Sequence, residues 1–409
     1  MQHQRIKYFC IYEHESLVVG QKYQGYEFTH YDCVQLLESS QGHYPPFLTA
    51  QYQGIKASHY VGQIATKDII LEILPKANVN SKSSSRQFLI QLLHYTQKTP
   101  PHALANIFQY DRGNIADYFY EVFITEVTKL LHKGLSPRYA VRASNNNRFT
   151  GKLSIKENIR YNYAHKEKVY TRKHILSNRH SIHMIISGAL SIITKRGQSN
   201  TIVNQAQNLI GYFGRPDVRE IPSTATRPLD KHEQHYSAAI SWAKIILDNK
   251  APNQHRNGIE SVFYLFDMQL LFEKIISDSL KQAIEALGHE ITIQPSKQFW
   301  KKRRIRPDLL LKLSNGKRLI VDTKWKTGSG ALPTSTDLQQ MYIYCNSFGA
   351  EKAILIYPKS ESFHDDKAGF HNNDAISCET MFVELFKNNS TNLNLGSIIL
   401  EKILNGITE

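Results

Sequence analysis

The sequence predicts a multidomain α+β protein: a β-rich N-terminal domain, a mainly helical adaptor region and a C-terminal α/β domain with a mixed sheet. Three observations carry this. Before residue 78 the chain is a series of short β-prone runs cut by Gly, Pro, Ser and His. Between about 79 and 250 apolar residues recur mainly at helical spacing, with one strand-like insert. From Ile259 helical and strand patterns alternate, which packs as a sheet flanked by helices. The expected domains are 1–78, 79–250 and 251–409.

In the first domain the runs are Tyr8–Tyr12, Phe47–Ala50, Tyr60–Ile64 and Ile69–Leu74, the last stopped by Pro75, which has no N–H for a ladder. Strands at this spacing predict a small barrel or sandwich. Asn78–Arg86 (NVNSKSSSR) is polar and aperiodic, as a linker is. A helix over Phe88–Tyr95 ends by Pro100-Pro101. Ile115–Lys133 carries Ile115, Phe119, Val122, Phe123, Val127, Leu130 and Leu131 on one side, with Gly134 and Pro137 as its stop. Ser144–Arg148 reads as a loop, Lys152–Tyr161 as strand-like, and Ser177–Thr194 and Lys231–Leu247 as helices separated by a boundary at Pro222–Pro228. The third domain begins with a long helix over Glu260–Leu287, then a strand at Ile291–Ile293, a hairpin, a helix over Thr336–Phe348 and a buried strand at Ala353–Tyr357. Met381–Phe386 and Ser397–Leu404 are ambiguous between strand and helix.

Composition bounds the function. Apolar residues make up 41% of the 409 positions, enough for real cores. A formal charge of +14 suits a polyanionic partner, because Lys and Arg contacts to phosphate release counterions, and it suits a generally basic soluble protein equally. Cys10, Cys33, Cys345 and Cys378 are scattered, which indicates neither a disulfide framework nor a zinc site. No apolar run reaches the ~18 residues of a membrane span and the N-terminus has no apolar signal segment, so the expected location is cytoplasmic, without membrane association.

The hairpin, Ile305–Lys324 (IRPDLLLKLSNGKRLIVDTK), is where chemistry concentrates. Asn315-Gly316 between two β-prone runs is a strong hairpin signal. A period of two places Asp322 and Lys324 on one face, and folding back brings Asp308 alongside. Two carboxylates and a lysine at the edge of an apolar sheet are costly there without a cation or polar substrate. Taken alone they read equally as solvated groups at strand ends. Gln340 and Tyr344 lie four apart on the next helix, within reach of a phosphate or the lysine. Glu273 sits among apolar neighbours in Leu270-Leu271-Phe272-Glu273 and faces either the same site or solvent. Asp308 and Asp322 have the ligand type Mg²⁺ prefers, with Mn²⁺ as a substitute.

Pro307-Asp308, Asp322-x-Lys324 and Gln340-x-x-x-Tyr344 together resemble the PD-(D/E)XK nuclease motif. The wider chain resembles McrC, the endonuclease subunit of McrBC-type modification-dependent restriction systems. Further carriers are Gly62, Ile73–Lys76, Gly134-Leu135, Tyr139, Phe149–Leu153, Phe266–Met268 and Phe272-Glu273; His183 departs from the family, where an asparagine is expected. The resemblance implies a DNA endonuclease with catalytic Asp308, Asp322, Lys324, Gln340, Tyr344 and Glu273 and metal ligands Asp308 and Asp322. It also implies a McrB-like AAA+ GTPase ring as partner, which recognises modified cytosine and translocates. The N-terminal and middle regions would dock on that ring, reach into its pore and stimulate GTP hydrolysis. The resemblance further implies double-stranded DNA as the substrate, with dimerisation of complexes serving double-strand cleavage.

Thr150–Leu153 lacks the first glycine and the hydroxyl of a P-loop, so the chain itself should not hydrolyse nucleotide. Arg215-Pro216-Asp217 has no D/E-x-K strand in hairpin reach, and Asp365–Lys367 lies in a polar segment without an apolar strand. His180 and His183 lack a third ligand nearby. Lys301, Lys302, Arg303, Arg304 and Arg306, with Lys297, Phe299 and Trp300 among them, precede the Asp308 strand and read as DNA-backbone contacts or as a solvated basic face. The alternatives to the nuclease are a non-catalytic adaptor that activates an AAA+ ring, and a nuclease acting on repair intermediates with another motor.

Overall fold

A computed structural model describes residues 6–40, 46–76, 81–96, 115–177, 180–197, 199–214, 229–248, 262–326, 333–359, 366–370, 373–387, 390–391 and 394–408. Asp217 and the proline-marked stretches at 100–101 and 222–228 lie outside these residues. The chain forms two compact units: residues 1–111 together with 255–409, and residues 112–254.

The N-terminal part of the first unit contains β1 (Lys7–Tyr12), β2 (Ser16–Val18), β3 (Lys22–Tyr23), β4 (Tyr26–Glu27), α1 (His30–Ser40), β5 (Leu48–Gln51), β6 (Gly54–Ala57), β7 (Tyr60–Ala65), β8 (Ile69–Leu74) and α2 (Lys82–Thr96). The four β-prone runs all become strands. They enter two sheets, β2-β6-β5 and a four-stranded sheet that also takes a strand from much later in the chain. α1 was not expected, although its start carries a Thr-x-x-Asp signal: Thr29 N and Oγ1 both donate to Asp32 Oδ2 at 2.8 Å, and Asp32 N donates back to Thr29 Oγ1. α2 starts six residues before Phe88, so Lys82–Arg86 of the expected linker are helical.

The second unit contains α3 (Ile115–Lys133), β9 (Arg138–Asn146), β10 (Lys152–Leu153), α4 (Ile155–Asn162), β11 (Val169–Ser177), α5 (Ser181–Arg196), α6 (Asn200–Phe213), a 3₁₀ turn at Lys231–Tyr236 and α7 (Ser237–Asp248). α3 has the expected bounds. Ser144–Asn146, read as loop, pair with Val169–Thr171 at the end of an antiparallel β9–β11 ladder. Strand pairing satisfies backbone groups whatever the side chains, and polar ones are tolerated on a solvated face. The strand-like Lys152–Tyr161 is strand only at its first two residues, then helix. His183 is fully buried with Nε2 3.0 Å from Tyr236 Oη.

The chain then supplies β12 (Val262–Asp267), α8 (Met268–Ala286), β13 (Glu290–Ile293), β14 (Lys297–Trp300), β15 (Arg303–Ile305), β16 (Leu309–Lys312), β17 (Arg318–Thr323), α9 (Ser335–Phe348), β18 (Lys352–Pro358), β19 (Asp366–Phe370), β20 (Asn373–Val383) and α10 (Leu395–Thr408) to the first unit. β12 is the correction to the expected helix over 260–287. It pairs antiparallel with β7, and the helix starts only after Asp267, whose carboxylate caps Gln269 N at 2.8 Å and Leu270 N at 3.2 Å. This pairing joins stretches 1–78 and 251–409, which the sequence pattern predicts as separate domains. Gly62 permits it: its φ is +134°, and a Cβ there would lie 1.8 Å from the Tyr264 carbonyl oxygen.

The main sheet is mixed and six-stranded, in the order β13-β16-β17-β18-β20-β19. β13, β16 and β17 are antiparallel, whereas β17, β18 and β20 run parallel. All seven residues of β18 are buried, as an apolar central strand requires. Asp366 and Lys367 begin an edge strand, β19, and are not off-sheet as expected. The ambiguous segments resolve as the end of β20 and as α10.

Candidate active site

β16 and β17 form the expected hairpin with Leu309 opposite Val321 and Leu311 opposite Leu319, all four side chains buried. Its connection is longer than a two-residue turn. Leu313 N donates to Lys317 O at 2.9 Å, and Gly316 takes the positive φ, at +85°. Asp308 immediately precedes β16, and its Oδ2 accepts from both Thr323 N and Thr323 Oγ1 at 2.7 Å. Thr323 lies between Asp322 and Lys324, so this pair of bonds locks one acid to the strand that carries the other two groups.

Lys324 extends the β17–β18 pairing, with its N donating to Ile356 O at 2.9 Å. Its Nζ lies 2.8 Å from Asp322 Oδ2, 3.8 Å from Asp337 Oδ1, and donates to Gln340 Oε1 at 3.1 Å. Gln340 Nε2 in turn donates to Tyr344 Oη at 2.7 Å, and Tyr344 Oη donates to Arg306 O at 3.2 Å. The helical spacing of Gln340 and Tyr344 thus makes a relay from Lys324 to the residue two before Asp308. Glu273 is buried on α8, and its Oε1 accepts from Gln294 Nε2 at 2.7 Å.

The electrostatics tie these groups into one cluster. The Asp322 carboxyl is pushed up to about 7, first by burial and then by the charges of Asp308 and Glu273, against the opposing pull of Lys324. Burial also raises Glu273, again with Asp308 adding, while Gln294 and Arg306 counter it. For Lys324 burial works against the charge, but Asp322, Asp337 and Asp308 outweigh it and hold the ammonium above the ordinary lysine value. Asp322 and Glu273 are both raised by burial and by the charge of Asp308, a shortage of positive charge that a bound cation would relieve.

Arg306 is close enough to Glu273 to stabilise its charge. Lys301, Lys302, Arg303 and Arg304 lie on or at the turn of the separate β14–β15 hairpin, and among the described residues no ion pair joins them to the acids. Arg304 is held locally, with Nε and Nη2 donating to Ser296 Oγ and Ser296 O.

The profile of the family described as McrBC 5-methylcytosine restriction system component matches residues 55–358, which include every group in this cluster. This chain belongs to that family. A chain of the refined half-complex from the tetradecameric assembly of Thermococcus gammatolerans McrB AAA+ hexamers with bound McrC superposes with a TM-score of 0.74 at 16% identity, covering 98% of this chain and 100% of the other. A chain of the Thermococcus gammatolerans McrBC complex, seen by cryo-electron microscopy, gives a TM-score of 0.51 at 18% identity over 68% of this chain and 88% of that one. No curated protein matches the sequence. The fold of a McrC-type subunit therefore extends over nearly the whole of this McrBC-family chain.

Gln269, Trp325, Glu13 and Asp337, which the sequence pattern did not single out, also join the cluster. Gln269 Nε2 donates to Thr323 O at 2.6 Å while its Oε1 accepts from Trp325 N at 2.8 Å, so one amide brackets Lys324. Gln269 and Glu273 lie four apart on α8, a spacing that identifies the face looking toward β17. Trp325 Nε1 donates to Glu13 Oε1 at 2.9 Å, linking the site to the strands of the N-terminal part. Asp337 pairs with Lys326 at 2.5 Å and closes the Thr334 capping box of α9. Although burial opposes it, Lys326 and the two Thr334 donors hold the Asp337 carboxyl down at about 2.

The donor set fits an open Mg²⁺ site. Asp322 Oδ2 is buried and has no aligned hydrogen-bond donor, only the ion-pair contact with Lys324. Among the described residues no group of three or more His, Cys, Asp or Glu side chains could hold an ion by itself. Mg²⁺ commonly binds through one or two carboxylates and keeps waters, so a pair of acids is sufficient.

Proposed function

We propose that this chain is the Mg²⁺-dependent DNA endonuclease subunit of a modification-dependent restriction complex, with a PD-(D/E)XK centre that hydrolyses phosphodiester bonds. The observation that carries it is Lys324 held between Asp322 and Gln340 while Asp308 is locked to Thr323. Asp308 and Asp322 would hold Mg²⁺, or Mn²⁺ in its place. The ion, when bound, lowers the pKa of a coordinated water and offsets charge on the phosphate. Lys324 stays protonated and donates to a phosphate oxygen as negative charge grows there. Gln340, itself held by Tyr344, fixes the direction of that ammonium. Glu273, raised by burial and by Asp308, would take a proton from the attacking water.

The partner proposed is an AAA+ GTPase ring whose GTP hydrolysis this chain stimulates, in keeping with the McrB hexamers that bind McrC in the related assembly. Cleavage of methylated DNA by the chain with its partner, GTP and Mg²⁺ tests the reading. Lys324→Ala is expected to abolish cutting while partner binding and GTPase stimulation persist. Full cutting by Lys324→Ala overturns it.

A further inference from the structure

The β14–β15 hairpin, Lys297–Ile305, pairs with no strand of the sheet that carries Asp322. It stands apart from the six-stranded sheet as a two-stranded ribbon, and every residue of β14 is exposed. Such a ribbon gains little from burial and is marginal in water without other support. Here the support is polar. Lys297 Nζ donates to Ser347 O, Gln298 Nε2 donates to Lys301 O, both at 2.5 Å, and Arg304 grips Ser296. A bulge between Gln298 and Trp300 interrupts the alternation that would send Phe299 and Trp300 to opposite faces. Lys301 turns the chain at φ +49°.

What this framework presents is two large aromatic rings in water. Phe299 is 56% and Trp300 57% exposed. The same hairpin carries Lys297, Lys301, Lys302, Arg303 and Arg304, and no acidic residue occurs in the sequence between Glu290 and Asp308. The Lys301 ammonium lies 4.7 Å from the centre of the Trp300 ring, so charge and ring face outward together. Cations without acids select a polyanion, and exposed rings beside them find in a nucleic acid the flat, apolar base faces that a phosphate-only surface lacks. The hairpin is also tethered to the cluster: Ile305 ends β15 three residues before Asp308, a reach of about 11 Å.

We propose that the β14–β15 hairpin is a DNA wedge, in which Phe299 and Trp300 stack on bases next to the cut phosphate while Lys301, Lys302 and Arg303 hold the flanking backbone. This rests on the endonuclease reading and adds contact with the bases, which opens the base step beside the scissile bond.

The test uses the full chain and its GTPase partner with a duplex carrying 2-aminopurine at the expected step. Trp300 is the most exposed of the tryptophans, Trp242 being buried. Duplex is expected to quench tryptophan emission in the wild type but not in Trp300→Leu, and to raise 2-aminopurine emission as its base unstacks. Phe299→Leu with Trp300→Leu is expected to weaken duplex binding about 10-fold and slow cleavage without changing the salt dependence, because phosphate contacts persist. Trp300→Phe is expected to keep most of the affinity. Wild-type binding and cutting combined with unchanged behaviour of the double-leucine variant overturn the wedge and leave the nuclease standing. Normal DNA binding by that variant with loss of the GTPase partner overturns it in favour of a protein interface. A wild type that neither binds nor cuts DNA overturns the nuclease and the wedge with it.

Discussion

Gln269 holds Thr323 by its carbonyl: the glutamine Nε2 donates to Thr323 O at 2.6 Å, and the same amide accepts from Trp325 N. The backbone on both sides of Lys324 is therefore anchored to α8. Gln269→Ala leaves a partly buried carbonyl and N–H without these partners, at a cost of about 1–3 kcal/mol. Because the freed strand also carries the lysine, cleavage by the folded protein is expected to fall about 10- to 100-fold. Denaturant unfolding run beside the cleavage assay checks this, since a purely structural glutamine lowers stability and leaves the rate per folded molecule unchanged.

Asp322 is placed at a cost to stability. Its carboxyl is raised in the fold, so the contribution it makes is present below its unfolded pKa and lost as pH rises through about 7. Asp322→Asn is expected to raise the metal-free Tm by about 2–4 °C, more at pH 8 than at pH 6, while removing cleavage. Added Mg²⁺ should stabilise the wild type and not the variant, because an ion that binds only the folded state shifts the equilibrium toward it. Thermal melts with and without Mg²⁺ at both pH values decide the matter.

Glu13 gives the fold a second pH response. Burial pushes its carboxyl up to about 7 even though Trp325 and the Lys76 N–H donate to Oε1, and Oε2 is buried with no hydrogen-bond partner among the described residues. The stability from this group is complete below the unfolded carboxylate range and disappears as pH rises through about 7. Glu13→Gln keeps the Oε1 acceptor and should flatten the profile, with a gain on the order of 2 kcal/mol at pH 8. Urea midpoints across pH 5 to 8 measure it, and parallel curves for the two proteins would exclude Glu13 as the source.

Gly62 should tolerate no side chain. With φ at +134° and Tyr264 O where a Cβ would sit, Gly62→Ala must part β7 from β12. The expected loss is at least 3 kcal/mol, the sum of backbone strain and a broken ladder. Wild-type stability of Gly62→Ala in denaturant unfolding would contradict the pairing.

The sequence was most legible where one signal decided the structure. Asn-Gly between two apolar runs located β16 and β17, and unbroken helical periodicity located α3 to the residue. The period of two correctly put Asp322 and Lys324 side by side. It was least legible where tertiary partners overrode local pattern. Val262–Asp267 has the apolar density to continue a helix, and only the distant β7 edge makes it a strand. Ser144–Asn146 are polar enough for a loop, yet the β11 ladder extends them. In the site, the spacing of Gln269 and Glu273 marks one face of α8, but the bonds of Gln269 to backbone atoms around Lys324 and of Trp325 to Glu13, more than 300 residues away, are contacts that no local pattern encodes.

The most direct measurement is cleavage of a methylated duplex by the chain with its AAA+ GTPase partner, GTP and Mg²⁺, comparing the wild type with Asp308→Ala and Asp322→Ala. A nuclease centre on these carboxylates predicts that cutting disappears in both variants and on chelation of the metal, while the complex forms and GTP turnover remains stimulated. Undiminished cutting by both variants, or a wild type that stimulates the GTPase and never cuts, would contradict it.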